Sequence, residues 1–229
     1  MSVSQVAPLL SPLELTGRTR SHVIQNHEPR FAAQPRVVEA FLDMRNAAAQ
    51  DGFDLRPFSS FRDFDTQVTI WNAKFTGSKP LYDETGTRRD FGTLDEIERI
   101  WAILEWSALP GASRHHWGTE IDVIDASAMP KGYRVRLLPE EVVGIFRPMH
   151  DWLDANMARF GFFRPYDVER GGMHPEPWHL SFGELSRPAL AQLSPEIVGE
   201  ALAVAGIEGR EFVLSALNNI FERHVLNVG

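Results

Sequence analysis

Two short polar stretches, far apart in the chain, set the strictest condition on its fold. The first is Ser113-Arg114-His115-His116-Trp117-Gly118-Thr119-Glu120-Ile121-Asp122. The second, Glu176-Pro177-Trp178-His179, begins 54 residues after Asp122. Together they carry two imidazoles and a carboxylate suited to ligate a metal, and a second carboxylate beside the last imidazole. Three protein ligands, an open fourth position and a neighbouring base are what a catalytic zinc requires. Such a site forms only if the fold brings the two stretches side by side.

The local pattern favours that convergence. Gly118 lets the backbone turn tightly between His115 and a strand predicted over 119–124. In that strand Glu120, Asp122 and Ile124 project from one face, and Thr119, Ile121 and Val123 from the other. Asp122 can therefore meet His115 folded back over the turn. Pro175 and Pro177 bar a regular helix and push the residue before each into extended geometry. A polyproline-like path over 176–179 puts Glu176 and His179 on the same side. Taken singly, His115 also reads as a surface histidine, Asp122 as a strand-end cap, and the second stretch as a proline-rich loop around a buried Trp178.

Elsewhere helices interleave with a few short strands. Residues 1–30 read as irregular. Over Pro35–Gln50 the residues Val37, Val38, Phe41, Leu42 and Met44 fall at helical spacing, and Gly52 ends that helix. Residues 53–61 read as a short strand and turn, and Phe64–Phe75 as a helix. The glycine- and charge-rich run 76–92 reads as an exposed loop. A helix over 93–106 takes Thr93 as N-cap with Glu96 completing a capping box. Another spans 139–160 and closes at Gly161. The tail over 194–226 reads as two helices broken near 206–209. The pattern is that of an α+β fold: a small, mostly antiparallel sheet flanked by helices.

Composition narrows the function classes. The 229 residues suffice for one well-buried core. A net charge of -8 without any Lys/Arg-rich block offers no basic face, so no nucleic-acid partner is expected. The absence of cysteine excludes disulfides, thiolate ligands and a cysteine nucleophile. No apolar run reaches the roughly 18 residues of a membrane helix, so no integral membrane segment is expected. Residues 1–16 lack a basic start followed by an apolar run, which favours a cytoplasmic location over an exported one. The pattern sets no oligomeric state.

At these motifs the chain resembles the VanY-type D-alanyl-D-alanine carboxypeptidases, zinc peptidases that act on bacterial cell-wall peptides. That family's pattern is SxHxxGxAxD followed by ExWH. Ser113, His115, Gly118 and Asp122 match the first part, and Glu176, Trp178 and His179 the second. Ser60-Phe61-Arg62 with Gln67 fits a third element, an arginine after a serine-aromatic step with a glutamine five residues on. Trp152-Leu153, Phe160-Gly161-Phe162 and Tyr166 resemble the family's lead-in to ExWH, so the likeness covers roughly residues 35–182.

The resemblance implies a zinc peptidase core over 31–183, with residues 184–229 as a helical extension of the same domain. It implies His115, Asp122 and His179 as Zn2+ ligands, Glu176 as general base, and Arg62 as the cation that polarises the scissile carbonyl. Ser113, Gln67 and Trp178 are expected against the substrate, a peptidoglycan stem peptide or precursor that would lose its terminal D-alanine. The same chemistry also suits an L,D-carboxypeptidase or a cell-wall endopeptidase, and a non-catalytic zinc-site binding module is a further reading. Glu120 departs from the family pattern, which has a small residue there. Sharing a face with Asp122, it is expected to accept a hydrogen bond from a ligand histidine or to pair with Arg62. A strand-edge glutamate reaching solvent is the alternative.

Overall fold

In the computed structural model, which describes residues 9–229, the strand after the first polar stretch lies inside a four-stranded antiparallel sheet. In chain order the strands are β1 (Ile24–His27), β2 (Arg30–Ala33), β3 (Leu55–Ser59), β4 (Glu120–Asp125), β5 (Phe162–Phe163) and β6 (His179–Phe182). The helices are α1 (Pro12–Leu15), α2 (Pro35–Gln50), α3 (Phe64–Phe75), α4 (Glu96–Leu104) and α5 (Pro139–Val143). They continue as α6 (Arg147–Asn156), α7 (Gly183–Gln192), α8 (Pro195–Ala203), α9 (Arg210–Ser215) and α10 (Leu217–Ile220). The larger sheet runs β3-β4-β6-β5, and β1 and β2 form a separate hairpin. The α+β class expected from the sequence is the class observed.

Register does the decisive work. Asp122 lies opposite Ser59 on one neighbour and opposite His179 on the other. Directly opposed residues in an antiparallel pair have Cβ atoms about 5 Å apart, so the pairing of β4 with β6 brings the two polar stretches together. Ile121 and Val123 project from the other face of β4. There they join Leu180 in a core with Val37, Phe41 and Met44 of α2 and Met149 and Leu153 of α6. A second core packs Trp71 of α3 and Ile103 of α4 against Leu202, Val213 and Ile220 of the C-terminal helices. Trp117 belongs to this second core and Ile121 to the first, so the turn carrying His115 is pinned where the two meet.

Several elements depart from the expectations. Within 1–30, Ser11 and Glu14 form a capping box that starts α1, and β1 pairs with β2; residues 1–8 lie outside the described residues. The four-residue, largely exposed β1 has too little apolar alternation to be read as a strand. The helix after the 76–92 loop starts at Asp95, whose side chain accepts from Glu98 N–H, because Thr93 is used in the preceding tight turn. The expected helix over 139–160 is broken after α5 at Gly144 and ends in a turn over Met157–Phe160, closed by Gly161 at φ 82°. Residues 76–92 are a loop that packs inward at Leu81, which is buried, rather than a wholly exposed one.

Candidate active site

The first polar stretch begins as a tight turn, Arg114–Trp117, ended by Gly118 at φ 64°. A Cβ on Gly118 would stand 2.3 Å from Val23 Cγ1, so glycine is required both by backbone conformation and by space. The turn clamps the 60–62 segment from three sides. His115 Nδ1 lies 2.8 Å from Ser60 O, His116 Nδ1 bonds Arg62 O, and Arg62 N–H donates to His115 O. A carbonyl only accepts, so both Nδ1 atoms carry the proton. His116 Nε2 then accepts from Gly111 N–H at 3.1 Å. His116 is fully buried and neutral, a strut for Arg62 and neither a solvated neighbour nor part of the cleft lining.

That tautomer leaves the His115 Nε2 lone pair pointing at Asp122 Oδ2, 3.4 Å away. Across the sheet, His179 Nε2 lies 2.8 Å from Glu120 Oε2. The carboxylate can only accept, so Nε2 donates, and the His179 Nδ1 faces Asp122 Oδ1 at 3.1 Å. That oxygen is buried and has no hydrogen-bond donor in suitable geometry. Ligand atoms of His115, Asp122 and His179 all lie within 4.8 Å of one another. Two ring nitrogens turned toward one under-satisfied buried carboxylate are an arrangement that a cation resolves, and a two-nitrogen, one-oxygen donor set suits zinc. The residues fit the ion.

The electrostatics agree. Burial alone would raise the Asp122 carboxyl, but His115 and His179 hold it far below the usual carboxylate range. Burial opposes charge on His179 as well, yet Asp122 and Glu120 on its two sides outweigh it and raise its pKa to about 10. A ring held between two carboxylates, with one nitrogen committed to Glu120, is a strong ligand through the other.

Glu120 sits at the centre of a closed network. It is fully buried, accepts from Thr119 Oγ1 and Ser181 Oγ at 2.9 Å each, and lies 3.3 Å from Arg114 Nη2. Burial opposes its ionisation, but Arg114 first and His179 next hold its pKa at about 2. Of the partners anticipated for it, a histidine is the one observed, His179. The paired arginine is Arg114 and not Arg62, because Arg114 lies on the turn next to His115 and reaches under the sheet. Glu120 does not reach solvent.

Glu176 and His179 do not follow a polyproline path. His179 N–H donates to Glu176 O at 2.9 Å, closing a turn that still aims both side chains into one cleft. Glu176 Oε2 is 3.6 Å from His179 Nδ1. Burial, with Asp122 adding to it and His179, Lys74 and Arg62 opposing, raises the Glu176 pKa to about 7. Arg62, Ser113 and Trp178 line the same cavity of about 320 Å³. Gln67 does not. It is fully buried, its Oε1 accepting from Arg62 Nη1 at 2.8 Å and its amide donating to Ala108 O at 2.7 Å, so it aims Arg62. A glutamine one helical turn into α3 shares its face with the helix start, which explains the contact.

Several cleft residues lie outside the sequence motifs, and three of them shape the walls. Lys74, at the end of α3, is one of three lysines in the chain and stands outside every motif, but it lines the cavity. Trp106 lines it as well and stacks on Trp178, with ring centroids 6.4 Å apart. Leu137, in the loop before α5, holds φ 54° at the rim.

A family model described as "VanY: D-alanyl-D-alanine carboxypeptidase" matches residues 30–185. An uncharacterized protein of Haemophilus influenzae is 42% identical over 103 residues, spanning 44% of this chain and 70% of that protein. Among solved structures, VanYB in complex with D-alanine-D-alanine superposes with a TM-score of 0.53 at 21% identity, covering 80% of this chain and 88% of that one. A zinc(II) complex of a glutamate-to-alanine mutant of the vancomycin resistance D,D-pentapeptidase VanY gives a TM-score of 0.51 at 23% identity, covering 72% of this chain and 80% of that one.

Proposed function

The chain belongs to the VanY D-alanyl-D-alanine carboxypeptidase family, and on that premise we propose that it is a zinc-dependent D,D-carboxypeptidase acting on peptidoglycan stem peptides. The observation that carries the reading is the convergence of His115, Asp122 and His179, with Glu176 beside them on the wall of one cavity. The D-alanine-D-alanine and the zinc(II) bound by the two similar structures are in keeping with it.

A zinc ion held by the three ligands would supply Lewis-acid polarisation and a water whose pKa is lowered to about 7. Glu176, with its own pKa near 7, has the proton affinity to take a proton from the attacking water. The water oxygen bonds to the scissile carbonyl carbon, the C–N bond breaks, and Glu176 returns the proton to the leaving amine of D-alanine. Arg62, aimed by Gln67 and by Ser59 Oγ at 3.2 Å, donates to the carbonyl oxygen as negative charge builds there. Ser113 contacts the peptide, and Trp178 with Trp106 gives an apolar wall to the alanine methyls.

The test is mass spectrometry of a muramyl pentapeptide ending in D-Ala-D-Ala, incubated with the zinc-loaded protein and with a chelated sample beside it. Chelator-sensitive loss of one D-alanine is the expected result. An intact pentapeptide, with zinc bound at one ion per chain, would overturn the D,D assignment and move the search to tetrapeptides and cross-linked wall fragments.

A further inference from the structure

Glu176 and His179 stand three residues apart, yet different parts of the molecule hold them. His179 opens β6 and is fixed by the pairing of that strand with β4. Glu176 ends an irregular loop over 165–176, closed where Glu176 N–H donates to Tyr166 O at 2.9 Å. The same loop supplies Tyr166 and Met173 to the cavity wall. Near its end His174 N–H is tied to Glu105 O at 2.9 Å. Between these ties, residues 167–173 include no helix or strand, and Asp167, Val168 and Glu169 are exposed.

The C-terminal segment supplies what the loop lacks. Among the described residues, the two backbone groups of 167–173 bonded from outside the loop are Arg170 O and Gly171 O. Asn227 Nδ2–H donates to the first at 2.7 Å, and Arg223 Nε–H donates to the second. Gly172 lies so close to Arg223 O that a Cβ there would collide with it. Gly229 N–H adds a bond to Pro165 O at 2.9 Å, where the loop begins.

The support is itself well seated. Phe221–Val225 form one π-helical turn, with Leu226 N–H donating to Phe221 O at 3.0 Å. Phe221 and Val225 are buried in the second core, which also holds Ile103 of α4. His224 packs on Trp101, with ring centroids 5.9 Å apart. An exposed loop without such ties opens locally at little cost. A displacement of about 1 Å in a reacting group can cost roughly 10²-fold in rate, so the ties bear on catalysis.

We infer that the C-terminal segment 223–227 is a positioning element for the catalytic base, with Arg223 and Asn227 acting on Glu176 through the 165–176 loop. The inference rests on the peptidase reading above and goes beyond it, because neither side chain lines the cavity. Both also lie outside the family match, which ends at residue 185. Loosening the loop should displace Glu176 and leave the ligand set, which hangs on the sheet, in place.

The experiment follows release of D-alanine from the muramyl pentapeptide by the zinc-loaded chain and its variants. Asn227→Asp is isosteric but offers Arg170 O no donor, and Arg223→Met removes the donor to Gly171 O. In the double variant kcat should fall by about 10- to 100-fold, with KM little changed and zinc content at one ion per chain. The conservative pair Arg223→Lys with Asn227→Gln keeps both donors and should recover part of kcat. Amide hydrogen exchange should quicken over 167–176 and stay unchanged in β4 and β6. Unchanged kcat overturns the inference, as does a fall in kcat that comes with loss of zinc or faster exchange throughout the sheet. Should the double variant fail to fold, Asn227→Asp alone carries the same comparison. If the wild type releases no D-alanine, the D,D reading has failed and exchange decides the inference separately. Loosening confined to 167–176 supports the positioning role; unchanged or general exchange overturns it.

Discussion

On the sheet side of the cleft the two histidines of the candidate metal site are held by buried partners, whereas on the loop side the holding contacts are few. His115 is fixed by Ser60 O, His179 by Glu120, and Glu120 in turn by Thr119, Ser181 and Arg114. Across the cavity Lys74 has Ser107 alone, and Leu137 keeps a left-handed backbone that costs a non-glycine residue of order 1 kcal/mol. The difference separates two tasks. A metal site needs ligand atoms placed to a few tenths of an ångström, which strands in fixed register and saturated hydrogen bonds provide. A substrate wall built on loops 76–92 and 129–138 can change its contacts without moving the ligands.

The sharpest way to break this division is Glu176→Gln, which removes the base from the sheet side and leaves the ligands alone. Turnover should fall by about 10²–10⁴-fold, the usual share of general acid–base catalysis, while zinc content by metal analysis stays at one ion per chain. Retained turnover would remove Glu176 from the chemistry and assign the proton transfer to another group.

Next in size is Glu120→Ala. Loss of a carboxylate behind a ligand histidine typically costs 10–100-fold in metal affinity, and that range is expected in competition with a chromophoric chelator. Glu120→Gln keeps the packing and part of the hydrogen bonding, so it should fall between wild type and alanine. Equal zinc affinity in all three would mean that the Arg114–Glu120–His179 chain is packing alone.

The loop side should answer to pH instead. Lys74 feels Lys79 and Arg62 on the cationic side and Glu176 on the anionic side. With a pKa of about 8 it is charged below that pH and neutral above it. KM for the pentapeptide should therefore rise as pH climbs through about 8, as the cavity loses a positive charge. Lys74→Met should flatten that rise. The same pH profile in Lys74→Met would assign the effect to another group.

The smallest effect is expected at Leu137→Gly, which suits the positive φ. It should leave zinc affinity unchanged, lower Tm slightly because Leu137 packs against the core, and alter KM by no more than a few-fold. A loss of zinc there would show that the two walls are coupled.

Much of the sheet side was legible in advance, for reasons particular to its residues. Pro35–Gln50 and Phe64–Phe75 carry apolar residues at helical spacing between clear stop signals, and both helices lie where the pattern places them. Asp122 and Glu120 share a face of β4 by alternation, a property of any strand. Gly118 marks a turn that admits no side chain. The helix over 139–160 was misread because a helical period cannot register the break at Gly144. Thr93 and Asp95 are both good caps, and only the tight turn before α4 selects the second.

The sequence by itself determined the chemical inventory: which imidazoles and carboxylates exist, their order along the chain, and the local turns that aim them. Tertiary structure alone decided their partners. The antiparallel pairing of β4 with β6 set Asp122 opposite His179 and placed Glu120 within 2.8 Å of the far nitrogen of that ring. It turned Gln67 away from the cleft and toward Arg62, and it brought Lys74, 48 residues before Asp122, to the same cavity. The physical reason is range. Spacing and periodicity govern residues within a turn or a strand of one another, whereas hydrogen bonds and charge pairing act through space between segments whose separation along the chain carries no record of the contact.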